Sequence, residues 1–296
     1  MKIVRYRSGD RVSYGFLSEE RVIDLPRLAR LCTCKLPSAF EKFIAWNPTA
    51  EAAEKLMEKA ERSMLEAAAV RGDEADLLCP ISSPSKIICL GLNYVDHAAE
   101  TGLKLPEEPI FFMKPRTALI GPNENIVKPG FVKQLDYEGE LAIIIAKKGK
   151  NIPVQEARKH VFGFSIMNDV SARDLQFKDG QWTRAKSFDT FAPLGTCIVT
   201  CDQLADTSDL RIRTWVNGEL RQNSTTKNMV FNIDEIIHHL SRVMTLEPCD
   251  IIASGTPAGV GFAMKPPQFL QHGDVVRIEV QGVGMLENAV RESCAV

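Results

Sequence analysis

Short runs of apolar residues, separated by polar segments, recur along most of the chain. Residues 87–90 and 141–145 are continuous apolar runs whose length and isoleucine content are typical of buried strands. Residues 3–7 and 12–17 alternate apolar with polar positions, which indicates strands with one buried face. Beyond residue 86 such strands dominate and helical patterns are brief. The sequence therefore predicts an α+β fold with a mostly β-strand core and short helices.

The same pattern divides the chain into two predicted units. Residues 1–75 are expected to form a small α+β N-terminal domain, and residues 86–296 a larger domain that carries the chemistry. The linker between them is placed at residues 76–85, because the prolines and serines there discourage regular structure.

One long helix is expected inside the N-terminal unit. Asn47 can cap it, Pro48 suits its first turn, and Gly72 lies just beyond its end. Between these positions apolar residues such as Leu56 and Met64 recur at helical spacing. This helix is predicted to serve as a packing element without a catalytic group.

Composition restricts the classes of function. A net charge of −2 supplies no basic surface for nucleic acid or an anionic membrane, so neither is an expected partner. No apolar segment approaches the roughly 18 residues of a membrane span, and the first residues lack the apolar segment of a signal peptide. The cysteine spacings match neither a zinc site nor a redox pair, so buried thiols and a reducing, cytoplasmic location are expected. The cysteines are Cys32, Cys34, Cys79, Cys89, Cys197, Cys201, Cys249 and Cys294.

Glu138 and Glu140, at the start of the isoleucine-rich strand, are the first candidates for chemistry. Side chains alternate along a strand, so both carboxylates project from the same face. Two carboxylates on a buried face repel each other and are costly to desolvate unless a cation lies between them. A hard divalent ion such as Mg²⁺, Mn²⁺ or Ca²⁺ satisfies both, because these ions prefer oxygen ligands. The alternative is a strand face open to solvent, with lysines nearby.

His97 and Glu100 form a second candidate pair. If Asn93 caps a short helix, these two residues lie three positions apart on one helical face. A carboxylate that holds an imidazole fixes its tautomer and raises its basicity, as a general base requires. The alternative is an incidental ion pair on a surface helix.

Asp169 and the residues after it are candidates because they follow a strand end. Asp169 ends an apolar run at residues 161–167, a common place for site residues, although it or Ser171 can equally cap the next helix. Arg173 and Gln176 lie one turn apart in that helix and can face the same cavity.

Two loops complete the set of candidates. Lys186 stands among small and apolar residues, where a lysine either reaches out to solvent or holds an anion. Residues 254–261 form a glycine-rich loop that contains Thr256, and its backbone N–H groups can bind a carboxylate or an oxyanion. Lys114 and Arg116 follow another strand and are assigned to a surface turn.

Together these segments resemble the fumarylacetoacetate hydrolase family, in the family's order, over about residues 86–283. The matching motifs are Gly91-Leu92-Asn93-Tyr94-x-x-His97-x-x-Glu100, Asp136-Tyr137-Glu138-x-Glu140, Asn168-Asp169-x-Ser171-Ala172-Arg173-Asp174, Lys186-Ser187-Phe188 and Ser254-Gly255-Thr256-Pro257. The N-terminal unit resembles the small extra domain of bacterial members and their closer eukaryotic relatives.

The resemblance implies a β-roll fold and a role for each candidate. Glu138, Glu140 and Asp169 are expected to hold one Mg²⁺, with Mn²⁺ or Ca²⁺ as alternatives. A dyad of His97 and Glu100 on a lid is expected to activate water. Lys186 is expected to hold a substrate carboxylate or developing oxyanion. The remaining residues expected to line the site are Arg173, Gln176 and Thr256.

The implied activity is that of a hydrolase or decarboxylase on a small 2-oxo acid, an acylpyruvate or oxaloacetate, through a metal-stabilised enolate. An isomerase or tautomerase acting on 2-hydroxyhepta-2,4-dienedioate or oxaloacetate is the alternative, and a non-catalytic metabolite-binding member is another. A homodimer is expected from the resemblance alone. The large tyrosine-degrading member has a fourth acidic metal ligand ahead of its catalytic histidine, for which Asn93 and Tyr94 offer no equivalent. Fumarylacetoacetate itself is therefore not an expected substrate.

Overall fold

Strands account for most of the regular structure in the computed structural model, which describes residues 1–18 and 21–293. The strands are β1 (Lys2–Ser8), β2 (Arg11–Ser18), β3 (Arg21–Asp24), β4 (Ala69–Arg71), β5 (Asp76–Leu78), β6 (Ile87–Gly91), β7 (Ile110–Lys114), β8 (Leu119–Ile120), β9 (Ile126–Lys128), β10 (Leu135–Asp136), β11 (Gly139–Ile145), β12 (Val161–Asn168), β13 (Ser171–Ala172), β14 (Ala192–Thr200), β15 (Arg211–Val216), β16 (Glu219–Thr225), β17 (Ile251–Ala253), β18 (Val275–Val280) and β19 (Gly284–Glu292).

Helices are short throughout. The α-helices are α1 (Leu25–Leu31), α2 (Phe40–Trp46), α3 (Glu51–Lys59), α4 (Arg62–Ala68), α5 (Val95–Thr101), α6 (Arg173–Asp179), α7 (Trp182–Lys186) and α8 (Ile233–Val243). Further 3₁₀ segments are Gly72–Glu74, Arg116–Ala118, Val154–His160, Thr226–Asn228 and Gly261–Ala263. Within the described part of the chain, no helix is long and apolar enough to cross a membrane. The predicted α+β class with a mostly β-strand core is confirmed.

One large sheet runs through the molecule in the order β4-β3-β2-β1-β14-β12-β11-β17-β6-β7, with β5 beside β1 and β8 beside β14. Its neighbouring strands are antiparallel, except that β17 is parallel to β6 and β8 is parallel to β14. A second, five-stranded sheet has the order β16-β15-β18-β19-β9, and β10 pairs with β13.

Strand β11 lies between two hydrophobic cores, and all of its residues are buried. Leu141 and Ile143 belong to the core that includes Ile278 of the five-stranded sheet. Ala142 and Ile144 belong to the core on the other face, which includes aromatic residues of α2. Burial on both faces explains why this segment is apolar without alternation.

The N-terminal unit shares its sheet and its core with the rest of the chain. Strand β1 pairs with β14, and β5, which lies inside the predicted linker, pairs with β1. Phe40 and Phe43 pack edge-on against Phe162, with ring centroids 6.1 and 6.3 Å apart. The division into residues 1–75, 76–85 and 86–296 stays a prediction about folding units.

The single helix expected between Asn47 and Gly72 is wrong, because the structure has two helices there, α3 and α4. Ala60 and Glu61 separate them in extended conformations, with ψ of 130° and 154°. Helix α1 contacts both α3 and α4. The chain bends so that both can pack on α1, and a pattern of apolar spacing does not report such a bend.

The cysteines of the described region are free thiols, and most are buried. Burial raises the pKa of Cys79 and of Cys249 to about 12, so neither forms a thiolate readily. Cys34 and Cys201 are partly exposed. Cys294 lies outside the described residues.

A substitution at Gly163 tests how tightly β12 packs against β14. An added Cβ would lie 2.1 Å from the Val199 carbonyl oxygen, so Gly163→Ala should lower the free energy of unfolding by about 1–3 kcal/mol through overpacking. Urea unfolding followed by circular dichroism measures the change. Gly130→Ala is the matched control, because an added Cβ there meets no atom within 4 Å. Equal stability of the two variants would contradict this account of the sheet.

Candidate metal and substrate site

Three buried carboxylates meet where β11 begins and β12 ends. The strands are antiparallel, with Gly139 opposite Asn168, so Glu138 and Glu140 at the start of one come beside Asp169 just after the other. The Asp169 amide donates to the Glu138 carbonyl oxygen at 2.9 Å, which fixes this junction. Each of the three offers a carboxylate oxygen within 4.8 Å of the others. The strand pairing thus brings together the residues predicted as metal ligands.

Gly139, between the two glutamates, is required by close contact with the five-stranded sheet. An added Cβ would lie 2.4 Å from Thr214 Oγ1. The Gly139 amide also donates to Gln222 Oε1 at 3.0 Å. The glutamates therefore sit at a point where β11 is pressed against the second sheet, which limits their freedom to move.

Two cations hold Glu138. Lys186 Nζ lies 2.7 Å from Glu138 Oε2 and 2.7 Å from Asp169 Oδ2, so it bridges both carboxylates. Arg173 Nη2 lies 2.7 Å from Glu138 Oε1. Although burial by itself raises the pKa of Glu138, these two cations outweigh it and hold the pKa at about 2. Glu138 is therefore a carboxylate at neutral pH.

Glu140 has the opposite environment. Its Oε2 accepts from the Gly255 amide at 2.8 Å, while its buried Oε1 has no hydrogen-bond partner. Burial raises the pKa of Glu140 well above its usual value, and the carboxylates of Asp169 and Glu138 raise it further. A buried oxygen without a partner is costly, and a cation is the partner that would satisfy it.

The donor set fits a hard divalent ion. Four buried carboxyl groups, including Asp136, face three buried cations, and among the described residues Glu140 is the member of this cluster that forms no ion pair. The carboxyl groups belong to Asp136, Glu138, Glu140 and Asp169. The cations are Lys114, Arg173 and Lys186. All candidate ligand atoms are oxygens, as Mg²⁺, Mn²⁺ and Ca²⁺ prefer. The Glu138, Glu140 and Asp169 triad can therefore hold a metal ion.

Helix α5 carries the candidate dyad. His97 Nδ1 lies 2.7 Å from Glu100 Oε1, and Glu100 Oε2 accepts from the Gly259 amide at 2.9 Å. The helix is tied to β16 through Asp96, which accepts from the Ser224 hydroxyl. His97 and Glu100 thus lie on one helical face, as the spacing predicts.

The cap expected at Asn93 is wrong. The residue before helix α5 is Tyr94. The Asn93 amide instead donates to the carbonyl oxygens of Phe231 and Ser254, at 3.1 and 2.8 Å. Asn93 therefore joins the start of the dyad segment to the glycine-rich loop, a long-range contact that local sequence does not reveal.

A cavity of about 340 Å³ brings most of the candidates to one surface. Its polar lining consists of Thr101 together with the predicted site residues His97, Glu138, Arg173, Gln176, Lys186 and Thr256. Its apolar walls include Leu90, Leu92, Phe112, Phe177, Trp182 and Phe262. Glu140 and Asp169 are fully buried and adjoin this lining through Glu138 and Lys186. A small, mostly apolar cavity with a few converging polar groups is the usual form of a site for a small molecule.

Gly91 and Trp182 shape one wall of the cavity. An added Cβ at Gly91 would lie 2.0 Å from the Trp182 ring, so only glycine leaves room for the indole there. Trp182 packs edge-on against Phe112 at 5.8 Å, and the ammonium of Lys186 lies 4.9 Å from the Phe112 ring centroid. Helix α7, which begins at Trp182 and ends at Lys186, is therefore anchored at both ends.

The glycine-rich loop binds carboxylates of this chain. Its backbone amides at Gly255, Gly259 and Gly261 donate to Glu140, Glu100 and Asp136 respectively. The carboxylates that the sequence predicted for these N–H groups are therefore side chains of the chain itself. Thr256, which lines the cavity, donates to the Gly139 carbonyl oxygen at 3.0 Å and accepts from Gln222 at 2.8 Å. The loop thus connects the candidate metal ligands with the dyad.

Lys114 is a buried part of the site, and its assignment to a surface turn is wrong. Its Nζ lies 2.7 Å from Asp169 Oδ1 and donates to the carbonyl oxygens of Val170, Lys186 and Phe191. The lysine directly continues an apolar strand, which is the only local signal for burial. Its partners come from distant segments, so local sequence does not indicate which groups it pairs with.

The chain is similar to known proteins over most of its length. The profile described as Fumarylacetoacetate (FAA) hydrolase C-terminal matches residues 86–291. Oxaloacetate tautomerase fahd2, mitochondrial, of Xenopus laevis is 40% identical over 296 residues, which cover 98% of this chain and 90% of that protein.

Two solved structures extend the comparison to the fold. The 2-hydroxyhepta-2,4-diene-1,7-dioate isomerase from Mycobacterium marinum has a TM-score of 0.77 and 32% identity, with 100% of both chains covered. Maleylpyruvate hydrolase from Sphingobium sp. SYK-6, solved with manganese(II) and pyruvate, has a TM-score of 0.80 and 28% identity, and covers 99% of this chain and 100% of that chain.

Lys114→Met tests the role of the buried lysine. Removing one partner of a buried ion pair leaves the other poorly compensated, so the free energy of unfolding should fall by about 3–5 kcal/mol. Urea unfolding measures it. Lys104→Met, at an exposed lysine, is the control and should stay within about 0.5 kcal/mol of the parent protein. A Lys114→Met variant as stable as the control would show that Asp169 does not depend on Lys114.

Proposed function

Because the chain belongs to the fumarylacetoacetate hydrolase family, we propose that it catalyses a divalent-metal-dependent proton transfer on a small 2-oxo acid, the keto–enol conversion of oxaloacetate or a close analogue. One observation carries this proposal. His97, held by Glu100, lines the same cavity as Glu138, which belongs to the candidate metal triad, and the candidate anion-binding Lys186. A base, a metal site and a cation at one small cavity are the parts that enolisation of a 2-oxo acid requires.

The triad Glu138, Glu140 and Asp169 is proposed to hold Mg²⁺ or Mn²⁺. A bound ion of this kind would supply Lewis-acid chemistry and would stabilise the negative charge that develops when a 2-oxo acid loses a proton. The related maleylpyruvate hydrolase was solved with manganese(II) and pyruvate, which supports both the type of ion and the type of ligand.

His97 is proposed to move the proton at the carbon next to the keto group. Glu100 accepts from Nδ1, so the neutral imidazole carries its hydrogen there and Nε2 is the basic nitrogen. The second oxygen of Glu100 is fixed by the Gly259 amide, so the pair is held in one orientation. Nε2 of His97 takes the proton from the carbon of the keto form, which leaves an enolate and an imidazolium. The enol forms when the enolate oxygen takes up a proton from solvent and the imidazolium releases its own, and the reverse reaction returns a proton from Nε2 to the carbon.

Lys186, Gln176 and Thr256 are proposed to bind and orient the substrate, and Arg173 is proposed to hold Glu138. Lys186 supplies a buried positive charge beside the triad, where it can neutralise a carboxylate or oxyanion. Arg173 is largely occupied by carboxylates of the chain, so its direct role is to hold Glu138. The apolar walls exclude water from the reacting atoms, which strengthens these electrostatic interactions.

Hydrolysis or decarboxylation, which the sequence placed first, uses the same residues and is the second candidate. The His97–Glu100 pair favours hydrolysis, because a general base that can take a carbon-bound proton can also activate water. Proton transfer is placed ahead of hydrolysis because it needs no positioned water. It is placed ahead of both because a relative named as an oxaloacetate tautomerase is similar over nearly the whole chain. The homodimer and the cytoplasmic location stay predictions from the sequence.

His97→Gln tests the proposed base. With Mg²⁺ present, the parent protein should accelerate deuterium exchange at C3 of oxaloacetate in D₂O, followed by NMR, and the variant should lose about 10²–10⁴-fold of that acceleration. His160→Gln is the control, since His160 bonds the Lys147 carbonyl oxygen and does not line the cavity. Equal exchange rates for the parent protein and His97→Gln would remove His97 from the mechanism.

The same NMR samples separate the candidate reactions. Tautomerisation predicts C3 exchange with oxaloacetate conserved, whereas decarboxylation predicts pyruvate, and hydrolysis predicts cleavage of acetylpyruvate into acetate and pyruvate. Glu138→Gln should abolish whichever reaction occurs, because it removes a charged ligand. If the parent protein binds Mn²⁺ and oxalate but alters no 2-oxo acid offered, the chain is a metabolite-binding member and the enzymatic proposal fails.

A further inference from the structure

Asp136 is a fully buried carboxylate that the proposed chemistry does not use. Its Oδ1 accepts from the amides of Tyr137 and Gly261, at 2.9 and 2.8 Å, and its Oδ2 accepts from the Phe262 amide at 3.1 Å. Its Oδ2 also accepts from Arg173 Nε at 2.9 Å. Both oxygens are therefore saturated, three times by backbone and once by a guanidinium.

Gly261 makes this contact possible. An added Cβ there would lie 2.6 Å from Asp136 Oδ1 and 2.1 Å from the Gln268 carbonyl oxygen. Only glycine lets the loop come close enough for its amide to reach the carboxylate. The far end of the glycine-rich loop is thus attached to Asp136, while its near end is attached to Glu140 through Gly255.

Arg173 extends the contact into the site. With Nε on Asp136, the guanidinium places Nη2 2.7 Å from Glu138 Oε1 and donates from Nη1 to Gln176 Oε1 at 2.8 Å. Its central carbon lies 4.4 Å from the Phe262 ring centroid, so the same loop covers one of its faces. The rigid planar fork of arginine can satisfy three such acceptors at once, and a lysine cannot.

We propose that Asp136 is a positioning residue that acts through Arg173, fixing the orientation of the Glu138 carboxylate and so setting the affinity of the site for a divalent ion and a 2-oxo acid. The part concerning the 2-oxo acid rests on the proposed function, and the part concerning the ion does not. Asp136 touches neither ion nor substrate, so its effect reaches the site through Arg173.

Stability alone does not account for this pair. Replacing a buried ion pair with apolar residues of similar volume is often neutral or stabilising, so a purely structural role needs no charge. The Asp136–Arg173 pair differs because the free end of the guanidinium is directed at Glu138 and Gln176, both of which line the cavity. The pair is arranged as a support that orients the candidate metal ligand Glu138. Removing such a support typically weakens metal binding.

The test is a double-mutant cycle on Mn²⁺ affinity, measured by calorimetry with and without oxalate as the 2-oxo acid analogue. Asp136→Asn should weaken Mn²⁺ binding roughly 10–100-fold, the usual effect of losing a residue that orients a metal ligand. In an Arg173→Gln background the same change should weaken it little further, because the route through Arg173 is already lost. Losses that add in full would show that Asp136 acts through space or on the fold, and would overturn the proposal.

Asp250→Asn is the matched control. Asp250 is also fully buried, accepts from the amides of Lys86 and Glu247, and pairs with the Lys86 ammonium at 2.9 Å, but does not line the cavity. The Asp250→Asn substitution should lower the unfolding midpoint and leave Mn²⁺ affinity unchanged. A loss of affinity equal to that of Asp136→Asn would reduce the effect of Asp136 to general destabilisation.

Arg173→Lys keeps the proposal testable if Asp136→Asn does not fold. Lysine retains the charge but cannot span Asp136, Glu138 and Gln176, so Mn²⁺ affinity should fall as it does in Asp136→Asn. Parent-like affinity in Arg173→Lys would overturn the proposal. If the coupling appears in Mn²⁺ binding while no 2-oxo acid is altered by the parent protein, the proposed function fails and the role of Asp136 stands.

Discussion

The charge balance of one buried cluster is the constraint on which the site depends. Glu138 and Asp169 each meet cations, but Glu140 keeps a buried oxygen without a partner and a raised pKa. A bound cation would give that oxygen a partner and favour the ionised form of Glu140, because a carboxylate so deep cannot be hydrated. The antiparallel pairing of β11 with β12 holds Glu138, Glu140 and Asp169 together, and the glycine-rich loop donates amide hydrogen bonds to Glu140 and to Glu100.

The sequence predicted the fold wherever burial produces a local pattern. The isoleucine-rich segment 141–145 lies within the strand β11 that the pattern predicted, because burial on both faces selects apolar residues at each position. The helix expected from Asn47 failed for the opposite reason, because the bend at Ala60 and Glu61 follows from contact of α3 and α4 with α1. Such a tertiary contact leaves no trace in local spacing.

Site residues likewise could be predicted from the sequence where their partners are close along the chain, and could not where the partners are distant. The alternation of Glu138 and Glu140, and the helical spacing of His97 and Glu100, are short-range relations, and the structure places each pair together. The buried position of Lys114 could not be predicted, because its partners lie about fifty to eighty residues further along the chain. The glycine-rich loop illustrates a related limit, since its composition indicates that it binds an anion and not which one. The recipients are Glu140, Glu100 and Asp136 of this chain.

The central claim is that a divalent ion belongs among Glu138, Glu140 and Asp169. Anomalous diffraction at the manganese edge, from crystals grown with excess Mn²⁺, tests it most directly. The account predicts one strong peak in contact with a carboxylate oxygen of each of the three residues. Crystals that show no peak there, with Glu140 instead protonated and bonded to a neighbouring carboxylate, would contradict it.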